Sequence, residues 1–191
     1  MIEGKLVNLR AVEPGDAERA FKWINDRDVT RYLMARYPAS LAFENEWAAN
    51  AAKPNDYSEA RFAIETKDGV HIGFCGLHRG RPEDRAVDLG IMIGEEQYRD
   101  GGYGTDTMLT LVGFAFDQMN VHRVALGVFE YNPRAQAVYR KVGFTEEGCD
   151  RKAHYEDGRY WDVIRMSVLK DEWRAKHGAA ATHIANPLAS A

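Results

Sequence analysis

The chain has 191 residues, a formal net charge of −4 and a hydrophobic share of 45%. A chain of this size and composition can bury the core of one globular domain, which excludes a disordered polypeptide. The acidic balance disfavours nucleic acid as the main partner. No apolar run approaches the roughly 18 residues of a membrane span.

The first 80 residues are predicted to form three strands and two helices. Lys5–Arg10 alternates polar and apolar residues, which is typical of a half-buried strand. Asp16 is a candidate cap for the first helix, and Asp68-Gly69 favours a hairpin turn between two strands. The predicted elements lie at residues 5–10, 17–25, 41–52, 61–65 and 71–77.

The second half continues with a strand, a helix, a strand, a helix and a closing hairpin. The hairpin is expected to turn at Asp157-Gly158. Because strands alternate with helices, the order predicts an α/β class with a mixed sheet. We find no internal repeat and no linker, so one domain is expected. The elements before the hairpin lie at residues 86–93, 105–119, 122–129 and 133–141.

Cysteine and histidine usage excludes two further classes. Cys75 and Cys149 are the two cysteines, and they do not make the framework of a disulfide-rich secreted domain. Residues 1–5 lack the apolar segment of a signal peptide, so we expect a cytoplasmic protein. The six histidines show none of the spacings of a metal site, and no metal is expected.

A glycine-rich segment, Gln97–Thr105, joins the strand at 86–93 to the helix that follows. In such a turn several backbone N–H groups point to one place at the positive end of a helix dipole, which favours a phosphate. Glycine lets the backbone approach a ligand closely. The segment fits neither G-x-G-x-x-G nor a lysine-containing Walker loop. A phosphate turn of another kind and a plain surface turn both remain open.

A second motif occupies residues 132–144, directly after the strand at 122–129. Asn132 can cap a helix, Pro133 suits its first turn and Gly143 suits its end. By itself the segment predicts a short, well-capped helix.

Together the two segments resemble the GCN5-related N-acetyltransferase (GNAT) superfamily. Arg99, Gly102 and Gly104 match the R-x-x-G-x-G of its pyrophosphate loop. Residues 132–144 match its N-x-x-A-x-x-x-Y-x-K-x-G-F, in the family's order and at a family-like separation. The joint match is more specific than either motif alone.

The resemblance extends over residues 4–173. Residues 25–33 and 154–166 resemble the branch that contains ribosomal-protein-alanine and spermidine acetyltransferases. Residues 174–191 are expected to form a loose tail.

The resemblance implies the single-domain acyl-CoA N-acyltransferase (GNAT) fold. Its mixed, mostly antiparallel central sheet has splayed central strands and helices on both faces. The cosubstrate would be acetyl-CoA, with its pantetheine arm along the main chain of residues 91–93. Asn132 would then bind the arm, cap its helix, or do both, and Lys141 is either a phosphate contact or a surface charge. The expected cofactor-binding residues are Ile91, Met92, Ile93, Arg99, Asp100, Gly101, Gly102, Tyr103, Gly104, Thr105, Asn132 and Lys141.

The resemblance places Tyr139 near the thioester sulfur, as the general acid that protonates the leaving thiolate. The alternative is an aromatic that packs under its helix. The attacking amine must lose a proton to a carboxylate or to water. Asp88 is a candidate base, although an acid at its position can be structural, and Glu130 is a weaker candidate. A backbone N–H near residues 91–93 can stabilise the negative charge that develops on the carbonyl.

Three functions remain open for the acceptor side. The first is direct transfer of the acetyl group to a primary amine of a small molecule. The second is acetylation of a protein N-terminus, such as that of a ribosomal protein, and the third is a CoA-binding sensor without turnover. Tyr32-Leu33 is followed by Met34-Ala35-Arg36, where the spermidine branch has carboxylates. Arg36 would repel a polycation, so the acceptor is not clearly a polyamine. Neither nucleic acid nor a membrane is expected as partner, and a homodimer or higher homo-oligomer is left open.

Overall fold

The computed structural model describes residues 1–178. Eight strands form one sheet within this part of the chain. The strands are β1 (Ile2–Glu3), β2 (Val7–Arg10), β3 (Ala60–Thr66), β4 (His71–Arg81), β5 (Ala86–Ile93), β6 (Arg123–Phe129), β7 (Thr145–Glu156) and β8 (Arg159–Leu169). The helices are α1 (Ala17–Ile24), α2 (Arg27–Thr30), α3 (Leu41–Ala51), α4 (Tyr103–Asp117), α5 (Pro133–Val142) and α6 (Lys170–His177).

The sheet is mixed and mostly antiparallel, as expected. Its strand order is β1-β2-β3-β4-β5-β6-β8-β7. The neighbours β5 and β6 run parallel, and the other neighbouring strands run antiparallel. A parallel pair needs a long crossover, and the glycine-rich segment with α4 provides it.

Helices cover both faces of the sheet. Phe74 and Cys75 are consecutive in β4 and point to opposite faces, so they belong to two different hydrophobic clusters. One face packs against α4 through residues such as Leu111, and the other packs against α1 through Trp23. None of the helices within residues 1–178 is long and apolar enough to cross a membrane.

The two central strands separate part of the way along their length. β5 pairs with β6 at three positions, the last being Asp88 opposite Ala125. On its other side β5 stays paired with β4 as far as Ile93. The edge of β5 beyond Asp88 therefore faces a gap, which confirms the predicted splay.

Three details differ from the expectations. The two-residue strand β1 and the short helix α2 were not predicted. Asp16 does not cap α1 with its side chain; its carboxylate accepts the Glu13 N–H at 2.9 Å and pairs with Arg10 at 2.8 Å. Asp16 therefore stabilises the turn before α1 rather than the helix itself.

The last helix extends beyond residue 173, the predicted end of the domain. Residues 174–177, assigned to the tail, form the last turn of α6. Trp173 is 4% exposed and packs at 5.9 Å from Phe116, while His177 Nε2 lies 2.7 Å from the Val142 carbonyl. A polar segment with one buried aromatic has no apolar period, so its sequence did not indicate a helix. The rest of the predicted tail, 179–191, lies outside the described residues.

Candidate active site

A groove of about 480 Å³ begins where β5 and β6 part. It runs from the glycine-rich segment, past α5, to the chain around α2. Eleven of the residues expected to act in the site line this groove: Ile91, Met92, Ile93, Arg99, Asp100, Gly102, Gly104, Thr105, Asn132, Tyr139 and Lys141. Gly101 and Tyr103 belong to the same turn but are not among the lining residues, and Tyr103 packs edge-on against Tyr98 at 5.1 Å.

The glycine turn delivers the start of α4 to one end of the groove. Gly102 precedes the helix with a φ of 86°, a left-handed conformation that favours glycine. The first amides of a helix have no acceptor within it, so those of Tyr103, Gly104 and Thr105 are free to bind an anion. A Cβ on Gly104 would meet nothing within 4 Å, which leaves open space beside these amides.

Basic side chains surround the same end. Arg99 donates through Nη2 to the Gly94 carbonyl at 3.2 Å. Arg134 lies 2.9 Å from Asp100 and also bonds the Arg99 carbonyl. Lys141 lines the groove from α5. Three cations against one carboxylate make this the positive end, which suits a diphosphate.

A buried carboxylate fixes the start of α4 from below. Asp106 accepts the backbone N–H groups of Lys5, Leu6 and Val7 at 3.1, 2.7 and 3.1 Å. The bonds join the N-terminal turn to the first turn of α4, and sequence reasoning missed them. An acid in the first turn of a helix was the one available signal.

α5 contributes Tyr139 to the lining of the groove. The Asn132 side chain accepts the Ala135 N–H at 3.1 Å, so the helix begins with the predicted cap. Burial raises the pKa of Tyr139 to about 12. The phenol therefore keeps its proton at neutral pH, which a general acid requires.

The two carboxylates expected as bases do not line the groove. Asp88 lies on the paired part of β5, before the strands part, and forms an ion pair with Arg79 at 3.1 Å. Glu130 accepts the Asp162 N–H at 3.1 Å and lines a separate shallow cleft. Neither carboxylate is therefore among the residues that line the groove with Tyr139.

The far end of the groove is formed by residues 27–33, which we call the acceptor wall. Asp28, Val29, Tyr32 and Leu33 line the groove from this wall. The sequence of this segment resembles one branch of the family, but it does not predict that these four side chains line the groove.

Arg36 is not among the lining residues, and its Nη2 lies 3.4 Å from Nδ1 of His154. The repulsion of polycations expected from Arg36 therefore has no support in the lining of the groove. Among residues 1–178, no cluster of three or more His, Cys, Asp or Glu side chains is placed to hold a metal.

The fold and the groove together define a CoA-dependent acyltransferase. Free amides at a helix start lie beside splayed strands, and a protonated tyrosine lines the same groove. The chain belongs to the GNAT family, because the model of the acetyltransferase (GNAT) domain matches residues 7–145. The protein is an acetyl-CoA-dependent N-acetyltransferase, which confirms the activity and the cosubstrate expected from the motifs.

Relatives of known name support this class. YdaF of Bacillus subtilis, provisionally named a ribosomal N-acetyltransferase, is 30% identical over 89% of this chain and 94% of its own. The spermidine N(1)-acetyltransferase of Escherichia coli strain K12 is 27% identical over 96% of each chain. A crystal structure of spermidine N-acetyltransferase from Vibrio cholerae, in complex with CoA and spermine, matches with a TM-score of 0.81. It is 27% identical, covering 88% of this chain and 98% of that chain.

Proposed function

We propose that the protein transfers the acetyl group of acetyl-CoA directly to a primary amine of a small molecule. The observation that carries the proposal is one groove that is lined by groups of opposite chemistry. The start of α4 with its neighbouring basic side chains, Tyr139 and the acceptor wall with Asp28 all line it. Relatives named for spermidine acetylation agree with a small amine as acceptor.

In this proposal the positive end holds the diphosphate of CoA. The amides at the start of α4 donate to its oxygens, and Arg99 and Lys141 balance its charge. Main-chain groups of β5 beyond Asp88 have no partner in β6. They are available to the amide groups of the pantetheine arm, as in the addition of a strand to a sheet edge.

The chemical step needs one proton donor and one proton acceptor. Acetyl-CoA supplies a thioester; the amine nitrogen forms a bond to its carbonyl carbon and the carbon–sulfur bond breaks. Tyr139 donates its phenolic proton to the departing sulfur and regains a proton from solvent. The acceptor, which arrives as an ammonium ion, loses one proton to water before its nitrogen attacks and a second proton to water once the bond has formed. Neither Asp88 nor Glu130 lines the groove.

Asp28 is proposed to hold the acceptor as a cation before the reaction. Roughly one alkyl amine in a thousand is neutral at pH 7, so the acceptor arrives as an ammonium ion. The other carboxylate that lines the groove, Asp100, is paired with Arg134. Within residues 1–178, Asp28 forms no ion pair. It lines the groove from the acceptor wall.

A screen of acceptors tests the proposal. Monoamines, polyamines, amino acids, aminoglycosides and short peptides with a free N-terminus are each mixed with acetyl-CoA, and the free thiol released is measured. We expect the highest kcat/KM with a small amine, and the loss of most turnover in Tyr139→Phe. A tenfold preference for peptides would indicate that the acceptor is a protein N-terminus rather than a small molecule. Binding of acetyl-CoA without turnover of any acceptor would indicate a CoA-binding sensor.

A further inference from the structure

Tyr131 connects two segments that line the groove, although it is not itself a lining residue. It lies two residues after the end of β6 and precedes Asn132, the cap of the helix that carries Tyr139. The backbone of Tyr131 is therefore fixed to the side of the groove that performs the chemistry.

The side chain of Tyr131 reaches the opposite side. Its hydroxyl donates to the Arg31 carbonyl at 2.8 Å, and its ring lies 5.9 Å from that of Tyr32, which lines the groove. Arg31 is the C-cap of α2. The last carbonyls of a helix receive no hydrogen bond from an N–H group of the same helix. The Tyr131 hydroxyl thus satisfies a carbonyl at the centre of the acceptor wall.

The ring of Tyr131 is held by its neighbours. It stacks on Phe129 with 5.2 Å between centroids and an interplanar angle of 13°, and it packs 4.7 Å from Trp161. Aromatic pairs of this kind favour particular orientations, so the hydroxyl has a defined position. Burial raises the pKa of Tyr131 to about 12, and the hydroxyl stays a donor at neutral pH.

Two other attachments lie at the start of the acceptor wall and three residues beyond its end. Arg27 pairs with Glu156 and, at 2.9 Å, with Asp157 in the β7–β8 hairpin. Arg36 contacts His154 in β7. These contacts remain when the Tyr131 hydroxyl is removed, so the wall stays attached at its ends while its centre is released.

We propose that Tyr131 is a positioning residue that sets the acceptor wall at its working distance from Tyr139, an inference that rests on the proposed function. It holds the backbone of Arg31 and thereby the groove-lining side chains on either side, Asp28 and Tyr32. It does not line the groove, so its effect belongs to the binding of the amine rather than to the chemical step.

The test removes only the hydroxyl, in Tyr131→Phe, which keeps the aromatic packing. The matched control is Tyr37→Phe, because Tyr37 is 84% exposed and loses the same group. With an amine that the parent accepts, Tyr131→Phe should raise the KM for that amine about three- to tenfold. The kcat and the KM for acetyl-CoA should stay within twofold. Hydrogen exchange should be faster at the amides of residues 30–33 in Tyr131→Phe and unchanged in Tyr37→Phe.

Three results would overturn the inference. A lower melting temperature with an unchanged amine KM would make Tyr131 a purely structural residue. A fall in kcat at constant amine KM would place the hydroxyl in the chemical step. Unchanged exchange at residues 30–33 would show that it does not hold the wall. The exchange measurement needs no substrate, so a failure of the proposed acceptor class is recognised separately, by the absence of turnover in the parent.

Discussion

Arg134 and Asp100 form an ion pair at 2.9 Å that joins α5 to the glycine-rich turn across the positive end of the groove. Arg134 also bonds the Arg99 carbonyl, so both of its contacts are to the turn. The geometry indicates that Arg134 holds the turn in the conformation that presents its amides.

Arg134→Gln and Asp100→Asn should therefore both weaken acetyl-CoA binding. Both side chains are largely exposed, so the change in Kd should be modest, about two- to tenfold. Isothermal titration calorimetry measures it, with Arg140→Gln as control on the same helix, since Arg140 faces Glu146 instead. Tighter binding by Asp100→Asn would contradict the holding role, because it would mean that Asp100 only competes with the phosphates for Arg134.

Gly102→Val should abolish most acetyl-CoA binding while the chain still folds. The residue has a φ of 86°, and a Cβ would lie 3.4 Å from Cδ1 of Leu6 on one side of the turn. A branched side chain is strained at this φ and distorts the amides that follow. The control is Gly69→Val in the β3–β4 turn, which has a φ of 83° and open space around its Cβ. Equal affinity in the two variants, by calorimetry, would show that the turn does not cradle the diphosphate.

Tyr139→Phe should lower turnover by about 10²- to 10⁴-fold, the usual contribution of a positioned proton donor. The ring and its packing remain, so the affinity for acetyl-CoA should change little. Steady-state kinetics on any accepted amine measures the loss, and calorimetry checks the affinity. If kcat stays within threefold of the parent, Tyr139 is a packing residue and the thiolate leaves with help from water.

The pH dependence of turnover gives a second test of Tyr139. Since burial raises its pKa to about 12, the acid form persists well above the ordinary pKa near 10. With an acceptor whose amine has a pKa near 8, the rate should rise to a plateau and stay level to about pH 10.5. A descending limb near pH 10 that disappears in Tyr139→Phe would contradict the raised pKa. The same shift stabilises the folded state fully below about pH 10, and this stability is lost as the pH rises toward 12, so the profile is not extended above about pH 10.5.

Local signals in the sequence account for much of the fold and for one side of the site. The glycine turn and the capped helix after Asn132 are each encoded within about a dozen residues, and the structure places both along the groove. Side-chain alternation indicates which face of β5 carries Asp88, but not where along the strand the neighbour departs. Asp88 proves to be opposite Ala125, before the splay. The position at which two strands part depends on pairing between distant segments. The alternation of side chains along one strand does not indicate it.

The acceptor side could not be predicted for the same reason. The bond from Tyr131 to Arg31 spans 100 residues, and the contact of Arg36 with His154 spans 118. Tyrosine and arginine are ordinary residues for a surface or a core edge, so neither position carried a signal of its own. Only the packing of α2 against the end of β6 and the closing hairpin gives these side chains their partners.

Asp106→Asn should destabilise the fold and weaken acetyl-CoA binding together. The Asp106 carboxylate accepts three backbone N–H groups from residues 5–7, whereas an amide offers one oxygen and places its NH₂ against the remaining donors. Leaving buried donors unsatisfied costs about 1–3 kcal/mol each, so a loss of about 2–4 kcal/mol in the free energy of unfolding is expected. Urea unfolding measures the loss, and calorimetry on the folded variant measures the affinity.

Asp171→Asn is the control, since Asp171 is an exposed acid in the first turn of α6. A loss below about 0.5 kcal/mol, typical of a surface substitution, would show that the N-terminal turn does not depend on Asp106. A loss of stability with unchanged affinity would show that the start of α4 keeps its position without that turn.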